Sequence, residues 1–130
     1  MDTVEQAYEM LSLSILDFIK DRTWDQGICE CQIFSKMASA SHFFVFQGVV
    51  NDVAMGWPKK GISAGNAALF LRDDLLKTTG RRIWGLSFTL FPDGKFRIEY
   101  DYDKPEDYEE TNETIEVNLK SDTPGQSSGQ

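Results

Sequence analysis

Few side chains in this sequence could support catalysis. The chain of 130 residues contains a single histidine, His42, and two cysteines, Cys29 and Cys31. A Ser-His-Asp or Cys-His site would have to use His42, and motifs that present a nucleophile, such as G-x-S-x-G, do not occur. We therefore interpret His42 as a hydrogen-bonded structural residue and predict that the protein is not an enzyme.

The cysteines and paired carboxylates are also weak metal-binding signals. Cys29 and Cys31 share one face of an alternating segment, where neighbouring same-face positions lie about 6.6 Å apart, so a disulfide between them would be strained. A zinc site would have to recruit carboxylates, and Asp101-x-Asp103 lacks the glycine-bearing loop of calcium sites. The glycines do not form a phosphate-binding pattern either. We expect buried, reduced thiols, no metal and no cofactor.

The most biased stretch of the chain runs from Glu99 to Glu116. Its nine carboxylates are opposed by one basic side chain, Lys104, and three tyrosines are interleaved with them. A solvated strand edge and loop would account for such a run without any further role. The functional alternative is a surface that binds a basic protein, because carboxylates accelerate the encounter and tyrosine provides rigid contact area.

Overall composition excludes several classes of partner. The net charge is −8, the sequence pI is about 4.5 and 41% of the residues are hydrophobic. Direct nucleic-acid binding is disfavoured because it needs clustered Lys and Arg. The apolar stretches are shorter than the ~20 residues of a membrane span, and the acidic N-terminus does not resemble a signal peptide. We expect a cytoplasmic protein.

Periodicity predicts the elements that must position these residues. Apolar spacing of three to four predicts a helix from Thr3 to about Lys20. Extended segments follow at Ile28–Met37 and Ser41–Val50, and apolar residues on both faces of the latter predict a central strand. Gly48 within it marks a bulge, a close backbone approach, or a small residue that fits beneath a neighbour. Within residues 51–66, Met55-Gly56-Trp57-Pro58 could end a third strand or form a loop. Trp57 and Trp84 could line a pocket, but aromatic core is the commoner role and the one we expect. Ser63 and Gly80 bound a second predicted helix.

A hairpin is the clearest local signal. Alternating apolar residues from Trp84 to Leu90 precede the turn Phe91-Pro92-Asp93-Gly94-Lys95, where Pro and Gly favour chain reversal. In the strand that follows this turn, alternation of apolar and charged residues predicts one face packed on the core and one charged face. The complete pattern predicts an α+β domain over residues 1–118, with one mainly antiparallel sheet, two helices packed on one face, and a flexible polar tail at 119–130.

The stretch Trp84–Glu110, W-G-L-S-F-T-L-F-P-D-G-K-F-R-I-E-Y-D-Y-D-K-P-E-D-Y-E-E, resembles the signature region of the YezG-like immunity protein family. Element order and length are similar over roughly residues 1–117, although only the hairpin is specific. Members of that family are antitoxins encoded beside secreted polymorphic or contact-dependent toxins, and they bind the toxin domain. The resemblance implies an immunity protein whose partner is a cognate toxin C-terminal domain, with a basic nuclease as the favoured class.

We therefore expect toxin binding by the acidic surface, which would cover a basic active-site or substrate cleft. Tyr100 and Tyr102 should face the core, which makes Tyr108 the better anchor. The alternative is a regulatory or scaffold module that binds a host protein, and gene neighbourhood would distinguish the two; self-association is left undecided. The predicted toxin-binding residues are Glu99, Asp101, Asp103, Glu106, Asp107, Tyr108, Glu109 and Glu110.

Overall fold

The structure, a computed structural model, describes residues 1–105. Its five strands form one antiparallel sheet in the order β3-β2-β1-β4-β5, and both helices pack on the same side of it. This confirms the predicted α+β class. The predicted domain end at 118 and the tail at 119–130 lie outside the described residues. The elements are α1 (Val4–Ile19), β1 (Gln26–Ile33), β2 (Ala38–Phe46), β3 (Val49–Asn51), α2 (Ala64–Thr79), β4 (Gly85–Leu90) and β5 (Phe96–Asp101).

Helix α1 begins with a reciprocal cap. The Gln6 N–H donates to Thr3 Oγ1 at 3.1 Å, and the Thr3 N–H donates to Gln6 Oε1 at 3.2 Å. These bonds satisfy backbone donors that the first helical turn leaves free. The buried side of the helix carries one apolar residue per turn, as the sequence predicts: Ala7, Leu11, Ile15 and Ile19.

Helix α2 has the predicted boundaries. Ser63 Oγ accepts from the Asn66 N–H at 3.1 Å, and Gly80 ends the helix with φ 75°. Glycine is favoured at that position because other L-residues are strained at positive φ. The buried side of α2 consists mostly of small residues, which allow the helix to approach the sheet closely: Ala64, Ala67, Ala68 and Leu71.

The strand order corrects one prediction. The segment Ser41–Val50 is not one strand, because a two-residue turn at Gln47 (φ 50°) and Gly48 (φ 78°) separates β2 from β3. Two successive positive φ angles give a turn whose twist matches a hairpin. As predicted, β2 is an interior strand, because it pairs with β1 on one side and with the short β3 on the other, although the middle strand of the sheet is β1.

The core fills the space between the helices and one face of the sheet. Phe88 at its centre is fully buried, as are Leu11, Cys29 and Ala67. Gly27 is required beneath α1, because a Cβ there would lie 2.3 Å from Ile15 Cγ2. Neither helix of the described chain is long and apolar enough to cross a bilayer.

Candidate functional site

The second face of the sheet is not packed by either helix. Side chains alternate along each strand, and the helix-covered face takes Cys29, Phe88 and Ile98. The intervening residues therefore form an open face across β2, β1, β4 and β5. The strand registers give three rows on that face: Phe43–Ile28–Thr89–Arg97, then Ser41–Glu30–Ser87–Glu99, then Ser39–Gln32–Gly85–Asp101.

The three rows divide the open face into an apolar part and an acidic part. The first row holds Phe43 and the buried Ile28 and Thr89, and it ends in the exposed Arg97; Val45 adjoins the row on β2. Glu30, Glu99 and Asp101 occupy the other two rows and are exposed. The apolar area that a partner could reach on this face is that of the half-buried Phe43 and Val45, beside the exposed carboxylates.

A shallow depression of about 230 Å³ lies within the acidic part. Gly85 contributes to its floor, and Glu30, Glu99 and Asp101 line its margin. A Cβ on residue 85 would lie 3.0 Å from the Cys31 carbonyl oxygen, so glycine allows β4 to pack closely against β1 there. We call this feature, defined by Glu30, Gly85, Ser87, Glu99 and Asp101, the acidic depression.

The carboxylates of this surface are free to meet a partner. Within residues 1–105, no basic side chain forms a salt bridge with Glu30, Glu99, Asp101 or Asp103. Asp101 Oδ1 accepts from the Asp103 N–H at 2.9 Å, which holds the chain in a turn after β5. Of the predicted toxin-binding residues, the structure thus brings Glu99, Asp101 and Asp103 to an exposed surface. The other five, Glu106, Asp107, Tyr108, Glu109 and Glu110, lie outside the described residues.

The two tyrosines near the end of β5 differ in their surroundings. Tyr100 packs against the core as alternation predicts, and burial together with a hydrogen bond to Tyr8 raises its pKa. Tyr102, expected on the core side, is instead 37% exposed and lies beneath the Arg81 guanidinium, 3.8 Å from the ring centre. The strand ends at Asp101, so alternation no longer sets the direction of residue 102.

His42 forms a polar contact with Ser14 of α1. Its Nε2 lies 3.0 Å from Ser14 Oγ, while the Ser14 hydroxyl donates to the Leu11 carbonyl at 2.8 Å. Because a hydroxyl has one proton, Ser14 must accept from a protonated Nε2. Burial lowers the pKa of His42, and Asp17 partly opposes this shift.

This contact is not a charge-relay arrangement. A nucleophilic serine would donate to the histidine, whereas the proton of Ser14 is directed to the helix backbone. The carboxylate of Asp17 is bonded instead to Lys20 Nζ at 2.9 Å and to the Lys59 N–H at 3.2 Å, and these bonds lower its pKa. The geometry agrees with a structural role for His42, whose ring also stacks on Phe18.

The two cysteines are buried thiols in the core. Their sulfur atoms are 3.8 Å apart, and both side chains are nearly inaccessible to solvent. The contact with Cys31 and burial raise the pKa of the Cys29 thiol, which disfavours the reactive thiolate. No cluster of three or more His, Cys, Asp or Glu suited to a metal ion occurs among residues 1–105.

Two surface residues were missed by sequence reasoning. Glu30 lies on β1, far from the acidic run in the chain, and only the strand register brings it beside Ser87 and Glu99. Trp57, assigned to the core, is 91% exposed in the loop between β3 and α2. The flanking Gly56 and Pro58 are loop signals that could have warned against a buried position.

Comparison with models of known protein families finds no match, and comparison with curated protein sequences finds none either. The resemblance carried by Trp84–Glu110 therefore stays a prediction.

Proposed function

We propose that this protein is an immunity protein that binds and neutralises a cognate toxin C-terminal domain, with a basic nuclease as the favoured class. The supporting observation is the acidic part of the open sheet face, where Glu30 on β1 and Glu99 and Asp101 on β5 are exposed on either side of β4. The proposed place of action is the cytoplasm of the producing cell.

Complementary charge is the first reason for this assignment. A nuclease needs a positive cleft to hold phosphates, and an acidic protein surface can occupy or cover the same cleft. The chain has a net charge of −8, and such an imbalance steers a basic partner towards it, with association rates that reach ~10⁸–10⁹ M⁻¹s⁻¹ in favourable pairs. Inhibition would then be steric and electrostatic.

Rigidity of the surface is the second reason. The carboxylates of the depression project from β1 and β5, which both pair with β4, and the core fixes these three strands on their other face. A preformed surface loses little conformational entropy when it docks, so more of the contact energy appears as affinity. Phe43, half-buried next to the acidic part, adds apolar area that a partner can cover, whereas Ile28 is buried.

Co-expression with the C-terminal domain of the toxin encoded beside this gene would test the proposal. The wild-type chain should restore growth and co-purify with the toxin domain. The double variant Glu99→Lys, Asp101→Lys should lose rescue, because it reverses the charge along the β5 margin of the acidic depression. Truncation of one interface anchor commonly costs about 2 kcal/mol, and a double charge reversal should cost at least as much.

A matched control places the same charge change on the opposite side of the molecule. Glu5→Lys with Glu9→Lys alters exposed residues of α1 and should retain rescue. If both double variants bind the toxin as tightly as wild type, and binding is also unaffected by salt, the acidic face is not the inhibitory surface.

A further inference from the structure

The loop between β3 and α2 exposes large apolar side chains, although the sequence as a whole is acidic. Val53 is 62% exposed, Met55 54% and Trp57 91%. We call residues 53–60 the Trp57 loop. Exposed tryptophan is uncommon on a surface without a partner, and tryptophan is enriched among residues that dominate binding energy.

Defined contacts with α1 and its C-terminal turn hold the Trp57 loop in place. Arg22 Nη1 donates to the Val53 carbonyl at 2.7 Å, and Lys20 Nζ donates to the Trp57 carbonyl at 3.3 Å. The Asp17 carboxylate accepts from the Lys59 N–H. These bonds fix the backbone of the loop while the indole of Trp57 stays in solvent, which is the arrangement of a preorganised anchor.

The charge beside Trp57 is opposite to that of the molecule as a whole. Lys59 and Lys60 follow it after Pro58 and are exposed. A basic toxin would be repelled by this end, so the loop suits an acidic partner that offers a recess for an aromatic ring. The acidic depression of this same chain has both properties, with a volume of about 230 Å³ and a margin of Glu30, Glu99 and Asp101.

We propose that the Trp57 loop of one copy docks into the acidic depression of a second copy. The indole enters the recess over Gly85, its N–H donates to a carboxylate of the margin, and Lys59 and Lys60 pair with the remaining carboxylates. The two surfaces cannot meet within one molecule. The loop contacts α1 on the helix-covered side of the sheet, whereas the depression lies on the open face of β1, β4 and β5.

Because the two docking surfaces differ, every docked pair of copies still has one unoccupied Trp57 loop and one unoccupied acidic depression. Such head-to-tail contacts close into a ring or extend into a chain, and they do not stop at a symmetric dimer. A basic protein that binds the acidic face displaces the loop, so self-association and partner binding compete. Self-association requires no toxin, and its failure would leave toxin neutralisation untouched.

The test uses two complementary variants of the full chain, followed by sedimentation velocity over a range of protein concentrations. The loop variant carries Trp57→Ala, Lys59→Glu and Lys60→Glu. The depression variant carries Glu99→Lys and Asp101→Lys. Wild type should form species larger than a monomer at low salt and dissociate in 0.5 M NaCl, whereas each variant alone should remain monomeric.

An equimolar mixture of the two variants should form a one-to-one dimer that grows no further. The depression variant supplies an intact loop, the loop variant supplies an intact depression, and neither can continue the chain. Trp57→Ala alone should weaken association at least about 30-fold. The control Lys77→Glu, Lys95→Glu changes exposed lysines elsewhere and should associate like wild type.

Several results would overturn the proposal. One is a wild-type chain that remains monomeric at every concentration at low salt. Another is a depression variant that still associates alone, because the partner surface would then lie elsewhere. A third is failure of the mixture to dimerise while circular dichroism shows both variants folded. Tryptophan emission gives an independent readout, since docking of the exposed indole should shift it to shorter wavelength as wild-type concentration rises.

Discussion

The two faces of the sheet use neighbouring residues of the same strands for different purposes. On β4, Phe88 is fully buried under the helices, while Ser87 beside it lies on the open face next to Glu30 and Glu99. Neighbouring residues of one strand thus have different roles: one stabilises the fold, and the next can be reached by a partner. Substitutions on the covered face should therefore change stability, and substitutions on the open face should change binding.

The largest expected effect comes from the covered face. Phe88→Ala removes a fully buried ring that stacks on Phe96 at a centroid distance of 4.8 Å, and we expect a loss of about 3–5 kcal/mol in the free energy of unfolding. Urea denaturation followed by circular dichroism measures it. Ser87→Ala is the matched control and should change stability by less than about 1 kcal/mol. Similar losses in both variants would contradict the division between the faces.

Gly27→Ala should destabilise the same face by overpacking. The new Cβ would lie 2.3 Å from Ile15 Cγ2, and such strain costs about 1–3 kcal/mol. Combining Gly27→Ala with Ile15→Ala should cost less than the sum of the two single changes, because removal of the Ile15 side chain makes room for the new methyl group. Strict additivity in the same denaturation assay would show that α1 shifts away without strain.

A smaller, pH-dependent effect is expected at His42. Burial lowers its pKa below the ordinary value of 6.5, so the unfolded chain binds the proton more readily than the folded chain. The contribution of neutral His42 is fully present above pH 6.5 and is lost as pH falls through the lower pKa of the folded state. His42→Gln should flatten the thermal stability profile between pH 7.5 and 5.5, and an unchanged profile would contradict the assignment.

The smallest effect on stability should come from the acidic depression. Glu99→Gln with Asp101→Asn removes two exposed charges without changing side-chain shape, and we expect a change within about 0.5 kcal/mol. The same variant should weaken both toxin binding and self-association. A large loss of stability would mean that these carboxylates support the fold.

Local chemistry explains which elements could be predicted. The spacing of Ala7, Leu11 and Ile15 and the caps at Thr3, Ser63 and Gly80 involve residues a few positions apart, so pattern and structure agree. The turn at Gln47 and Gly48 was missed because glutamine is not a typical residue at positive φ. Trp57 was misassigned because its hydrophobicity favours the core, whereas backbone bonds from Arg22 and Lys20 hold its loop outside.

The sequence by itself determined the secondary structure of both helices and the hairpin, the separation of apolar and charged residues on β5, and the excess of negative charge, because all of these depend on residues close together in the chain. Only the tertiary structure decided that Glu30 joins Glu99 and Asp101, that Gly85 allows β4 to pack closely against β1 at the depression, and that Trp57 stands in solvent beside two lysines. The physical reason is that strand order and register bring together residues up to about seventy positions apart, and no local pattern encodes which strands become neighbours.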